Sequence, residues 1–193
     1  IEDIISKNEM TKLCKICNKK KILLVVDEAY YMFGAPTAAS LIKKFNNIII
    51  LRTFSKSLGI PSVRFGFILA NKKIISIMNS YRLSYESNFL TDTVVKYFID
   101  NFQIIKNYIN KVKIGREYVR NECKKLGFNV IGKYSNFLLI DFRNNLLKKK
   151  LIKKLKNKKI YVKSNYTGIL QNTILVTCGS KQIMKKFIKT LKV

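Results

Sequence analysis

Apolar residues fall along this chain in two textures, short uninterrupted runs and longer stretches where they recur every three or four positions. The first texture predicts buried strands and the second predicts amphipathic helices. Ile4, Ile5, Leu13, Ile16 and Cys17, set in a polar background over residues 3–20, predict a helix interrupted or capped near Asn8 or Thr11. The run from Ile22 to Val26 predicts a strand covered on both faces, and Asp27 arrives as it ends. Ile48 to Leu51 and Val63 to Ala70 predict two more strands. From Lys72 to about Lys125 the spacing turns helical, with Gly127 as the stop. Beyond it, Phe137–Phe142, Ile160–Val162 and Ile174–Cys178 predict strands, and residues 145–157 and 181–191 predict helices. The pattern is that of an α/β protein with a second, smaller α/β layer, without internal repeats or a Pro/Gly/Ser-rich linker.

Composition narrows the chemistry. With 193 residues and 48% hydrophobic content, the chain has enough apolar surface for a real core. The formal charge of +27 raises the possibility of a basic nucleic-acid-binding domain, because clustered cations bind phosphate by releasing counterions. The cations, however, are overwhelmingly Lys scattered along the chain, the arginines being Arg52, Arg64, Arg82, Arg116, Arg120 and Arg143. This reads as a composition bias with solvated helix faces, and no specific nucleic-acid partner is expected. The run Lys148-Lys149-Lys150 with Lys153, Lys154, Lys156, Lys158 and Lys159 is likewise expected to be a solvated face. No run approaches the roughly 20 apolar residues of a membrane span. The start Ile1-Glu2-Asp3 lacks a signal-peptide pattern, so a cytoplasmic location without membrane contact is expected. Cys14 and Cys17 form a lone C-x-x-C, and with no histidine in the chain neither a zinc site nor a Ser-His or Cys-His nucleophile is expected. Catalysis, if present, runs on Lys, Tyr or carboxylates.

Two strings concentrate that chemistry. Val25-Val26-Asp27-Glu28-Ala29-Tyr30 ends the first apolar run, and Thr53-Phe54-Ser55-Lys56-Ser57-Leu58-Gly59, continuing to Arg64-Phe65-Gly66, follows the second. In open α/β sheets ligands gather at the carboxyl ends of strands, where both strings fall. A lysine that holds an aldehyde cofactor as a Schiff base needs phosphate-binding hydroxyl and guanidinium groups and a carboxylate for a pyridine nitrogen. Taken singly, each residue has a plainer explanation, since Asp, Ser and Thr cap turns and Lys is abundant here.

In this order and at these separations, the Asp-Glu-Ala-Tyr and Arg-Thr-x-Ser-Lys-x-x-Gly...Arg-x-Gly strings resemble the fold-type I, class I/II pyridoxal-phosphate (PLP) aminotransferases, most closely the histidinol-phosphate aminotransferase-like branch. The resemblance implies part of the large-domain sheet of a PLP-dependent transferase, followed by a small C-terminal α/β domain. Residues 1–80 would belong to the large PLP-binding domain, 81–125 to connecting helices and 126–193 to the small domain. It implies Lys56 as the Schiff-base lysine and general base, Asp27 facing the pyridine nitrogen and Tyr30 donating to the phenolic oxygen. Thr53, Ser55 and Arg64 would form the phosphate cup. Tyr85 and Asn88 fall where the branch has a substrate-facing loop.

The similarity covers roughly the C-terminal half of such an enzyme, and the Asn-Pro-x-Gly-type motif of the other half is not in this sequence. Where the family has a carboxylate-binding Arg in a Leu-Arg-Ile-Thr string, this chain has Leu175, and at an earlier family Arg it has Lys163. The implied activity is transfer of an amino group between an amine or amino-acid-like donor and an oxo acid, in a homodimer or with a complementing chain. The alternative is a catalytically inactive fragment or pseudoenzyme serving as a binding or assembly module.

Overall fold

The computed structural model describes residues 4–84 and 86–192. They divide into two compact units, one running up to Lys106 and the other from Asn107 onward.

The first unit opens with helix α1 (Lys7–Lys19). Ser6 caps it and Glu9 returns a bond to the Ser6 amide, a reciprocal capping box. The start is therefore set by Ser6, not by Asn8 or Thr11. Strand β1 (Leu24–Asp27) pairs in parallel with β2 (Ile48–Thr53), and β3 (Gly66–Ala70) pairs antiparallel on the other side of β2. One face of this sheet, through Leu24, Val26, Ile48, Ile50 and Leu69, packs on Met10, Leu13 and Cys14 of α1 and on a 3-10 segment, Ala39–Lys43. The other face is different: Val25 is 53% exposed, and Leu51 and Ile68 are each 36% exposed.

The expected strand at Ile22–Val26 thus starts two residues later and is covered on one face only. The expected Val63–Ala70 strand is shorter, because Pro61–Val63 forms a 3-10 turn and Arg64 takes a left-handed conformation with φ 54°. At Gly66 an added Cβ would lie 2.7 Å from the Arg52 carbonyl oxygen, so only glycine lets β3 approach β2 so closely. Helices α2 (Phe54–Ser57), α3 (Lys72–Asn79) and α4 (Phe89–Asp100) complete this unit.

Helix α5 (Phe102–Lys125) runs into the second unit and stops where Gly127, at φ 79°, turns the chain. Strands β4 (Asn129–Ile131), β5 (Phe137–Asp141) and β6 (Thr173–Thr177) form an antiparallel sheet with β5 central. Helices α6 (Asn145–Asn157) and α7 (Lys181–Leu191) belong to the same unit. Leu138, Leu139 and Ile140 of β5 are buried together with Leu151, Leu155, Ile174, Ile188 and Leu191. At Gly115 of α5 an added Cβ would fall 1.9 Å from the Gly179 carbonyl oxygen, so this glycine permits the helix to lie against the backbone after β6.

The segment Ile160–Val162 is not a strand. Its neighbour Lys163 makes only an isolated bridge to Leu175, with backbone bonds of 3.3 and 2.8 Å, and a three-residue apolar run has too few ladder bonds to extend further. Lys148 also departs from the solvated face expected of the lysine run. It is buried near the start of α6, and its Nζ donates to the Gln171 carbonyl, which gives the ammonium a polar partner.

Candidate active site

The parallel register places Asp27 opposite Leu51, so the Asp27 turn and the segment after β2 leave the sheet from the same edge. Side chains alternate along a strand, which puts Asp27, Leu51 and Thr53 on the less covered face and Glu28 and Arg52 on the packed one. Asp27 Oδ1 accepts the Ala29 amide at 2.9 Å, which fixes the carboxylate in a tight turn. The Tyr30 phenol follows. Burial, and secondly the nearby Asp27 carboxylate, raise its pKa above the ordinary tyrosine value, so the hydroxyl keeps its proton at neutral pH.

Across from this turn, Thr53 ends β2 and caps α2. Its Oγ1 accepts the Ser55 amide at 3.0 Å and donates to the Phe65 carbonyl at 3.1 Å. Thr53 pairs with Gly66 in the β2/β3 ladder, and the Phe54 amide donates to Phe65, so the loop carrying Arg64 is brought back beside Thr53 and Ser55. Among the described residues, the Lys56 ammonium and the Ser55 hydroxyl have no hydrogen-bond or ion-pair partner. Arg64 is exposed, and its side chain makes only a 3.4 Å bond to the Pro61 carbonyl. The structure therefore groups Thr53, Ser55, Lys56 and Arg64 around one turn and sets Asp27 and Tyr30 at the end of the adjacent strand.

The remaining expected site residues lie elsewhere. Asn88 caps α4, its Oδ1 accepting the Thr91 amide at 3.0 Å, and Tyr85 lies outside the described residues. Lys163 belongs to the second unit, with its Nζ 5.4 Å from the centre of the Tyr166 ring. Lys163 and Leu175 line a cleft of about 640 Å³ there, together with Val162, Met184 and Phe187.

Sequence reading passed over Glu28 and Arg52. Glu28 is 6% exposed, and its carboxylate accepts from Arg52 Nε at 3.1 Å and Nη2 at 2.9 Å, from Thr37 Oγ1 at 2.9 Å and from the Ala38 amide at 2.6 Å. The Arg52 guanidinium also lies 3.7 Å from the centre of the Tyr31 ring and donates to Thr37 Oγ1 at 2.8 Å. Two guanidinium nitrogens on one carboxylate oxygen, with Thr37 and the Ala38 amide also donating to the carboxylate, make an arrangement in which a buried charge is tolerable. The available signal was an acid ending one buried strand and an arginine near the end of the next.

A family model described as aminotransferase class I and II matches residues 3–191. This chain belongs to that family. The histidinol-phosphate aminotransferase of Brachyspira hyodysenteriae is 34% identical over 181 residues, covering 92% of this chain and 51% of that protein. The enzyme of the same name from Thermotoga neapolitana is 28% identical over 190 residues, covering 98% and 54%. Among solved structures, histidinol-phosphate aminotransferase from Clostridium acetobutylicum superposes with a TM-score of 0.84 at 23% identity, covering 97% of this chain and 58% of that one. The Sinorhizobium meliloti enzyme, solved in complex with pyridoxal-5'-phosphate, gives 0.79 at 18% identity, with 94% and 51% covered. The chain spans about half the length of the curated relatives it matches, and its architecture is a part of the α/β fold of PLP-dependent aminotransferases.

Proposed function

We propose that this chain carries the cofactor lysine and the C-terminal domain of a PLP-dependent aminotransferase, which moves an amino group between an amine or amino-acid-like donor and an oxo acid. The observation that carries this reading is the pairing of an uncommitted Lys56 with an uncommitted Ser55 and a nearly free Arg64 on one turn, next to the strand that ends in Asp27. Elsewhere this chain ties buried charges down, as at Glu28 and Lys148, so free groups gathered in one place are informative.

The donor set fits the cofactor. A hydroxyl and a planar guanidinium suit a phosphate dianion, a carboxylate suits a protonated pyridine nitrogen, and a primary amine suits an aldehyde. Bound PLP supplies the electron sink that stabilises charge at the substrate's Cα. Lys56 anchors the cofactor and afterwards moves the proton to and from Cα, a role open to an amine without a competing salt bridge. Asp27, held by the Ala29 amide, would supply the carboxylate for the ring nitrogen, and the protonated Tyr30 would donate to the ring oxygen. Ser55 and Arg64 hold the phosphate. Thr53 has spent its one hydroxyl proton on Phe65, so it shapes the cup by capping α2 and not as a phosphate donor.

Within the second unit, Lys163 beside the apolar Leu175 is the candidate for an anionic group of the substrate. A lysine offers a point charge where an arginine offers a fork, so a phosphate or single oxygen anion suits it better than bidentate carboxylate recognition. A homodimer or complementing chain belongs to this reading, since Val25, Leu51 and Ile68 leave one sheet face open to a partner.

The test is borohydride reduction of the protein mixed with PLP, followed by peptide mapping. The label is expected on Lys56 and is expected to disappear in Lys56→Ala. A label on another lysine, or none, removes the assignment. Leu175 also supports a second reading, a cofactor-binding protein without turnover, and PLP retention with no transamination across a panel of amines would favour it.

A further inference from the structure

Glu28 and Arg52 touch none of the groups just assigned to the cofactor, yet each is covalently adjacent to them. Glu28 follows Asp27, and Arg52 precedes Thr53, the cap of the turn that carries Ser55 and Lys56. The Glu28 amide donates to the Leu51 carbonyl at 2.9 Å, while its side chain grips Arg52 through two bonds. Arg52 in turn covers Tyr31, the neighbour of Tyr30. Thr37 closes the array, donating to Glu28, accepting from Arg52 and accepting the Ala39 amide at 3.1 Å. One buried ion pair therefore fastens the end of β1 to the end of β2, behind the sheet face on which Asp27 lies.

We propose that the Glu28–Arg52 pair, locked by Thr37 and Tyr31, is the positioning device that sets the Asp27–Tyr30 turn against the Thr53–Lys56 turn. This deepens the reading of the same site and rests on it. Two strand ends paired by a few backbone bonds can slide or fray, and a carboxylate 1 Å out of place loses much of its effect on a ring nitrogen. A forked guanidinium fixes both distance and angle. Lysine at position 52 would keep charge but lose the fork and the ring stacking.

The test uses Arg52→Met, Arg52→Lys and Thr37→Val, each checked first for native circular dichroism at the assay temperature. Two readouts follow. Amide hydrogen exchange, which needs no cofactor, is expected to show Ala29–Tyr31 and Ser55–Ser57 losing protection together in Arg52→Met and Thr37→Val. Titration with PLP is expected to show affinity falling roughly 10–100-fold, the range typical when the partner behind a ligating group is removed. The pH midpoint of the bound-cofactor absorption band should move with it, because that midpoint reports protonation of the Schiff-base nitrogen, which the charge on the conjugated ring nitrogen influences. Arg52→Lys should fall between wild type and Arg52→Met.

Folded variants with wild-type protection of both turns and an unchanged band would overturn the proposal. If Arg52→Met does not fold, Thr37→Val and Arg52→Lys decide it by the same readouts. Wild-type protein that takes up no PLP would instead overturn the cofactor reading, while the exchange result would still judge the clamp.

Discussion

The two sheets of this protein are built from the same number of strands and bury them to different degrees. In the second, β5 places Leu138, Leu139 and Ile140 in succession out of solvent, so both faces are covered. In the first, the face holding Leu24, Val26, Ile48 and Ile50 packs on α1 and the 3-10 segment, while on the other face Ile49 is buried but Val25, Leu51 and Ile68 stay partly exposed. Chemistry follows that difference. The described residues Ser55 and Lys56, whose side chains are uncommitted, follow the first sheet, whose open face ends in Asp27. A functional face needs accessible, unsatisfied groups, and a face that is satisfied and covered can serve only stability.

The contrast can be broken by truncation at matched positions. Ile140→Ala should cost about 2–5 kcal/mol, the range for buried large-to-small changes, and Val25→Ala less than about 0.5 kcal/mol, as for exposed sites. Denaturant titration of both variants measures the gap. Similar losses would mean that Val25 is covered in solution, and its cover would then be sought in a partner.

Alkaline pH acts on the closed unit next. Burial pushes the Cys123 and Cys178 thiols up to about 12, from ordinary values of 9.0. Because the folded state disfavours the thiolate, the stability linked to these groups is complete below about pH 9 and declines as pH rises from 9 toward 12. At pH 10 the loss is roughly 1 kcal/mol per thiol by proton linkage. Native protein should also resist alkylation at both positions at pH 9, and fast labelling there would contradict the burial.

A smaller effect tests Asn88, which resemblance places in a substrate loop and the structure places at the start of α4. Asn88→Ala should cost about 1 kcal/mol of stability through the lost cap, and Asn88→Ser should restore most of it. If Asn88→Ala instead leaves stability intact and raises KM alone, the substrate role is the correct one.

Much of the architecture was readable in advance. The helices at 145–157 and 181–191 emerge with the bounds expected, because their apolar spacing is regular and Asn144 and Ser180 cap them. The apolar run at Ile48 is a strand as expected. Errors arose where the code is short or depends on distant partners. The strand β4 is three residues with one buried side chain, too little for a periodic signal, and Ile160–Val162 has the composition of a strand but no ladder to join. Ile22 and Leu23 read as core yet are exposed, because apolarity states what a residue prefers and not whether a neighbour is there to cover it.

For the site, the family resemblance carried by two strings nominated Lys56, Asp27, Tyr30, Thr53, Ser55 and Arg64 as candidates, and adjacent strands that end together bring residues following them together. Which of those groups are free and which are spent was decided by tertiary structure. Thr53 turned out to be a cap, and Glu28 and Arg52, 24 positions apart, became a single buried ion pair. The reason is physical: strand and helix tendencies are carried by local residues, whereas a hydrogen-bond partner for a charged group is fixed only when the strands are in register.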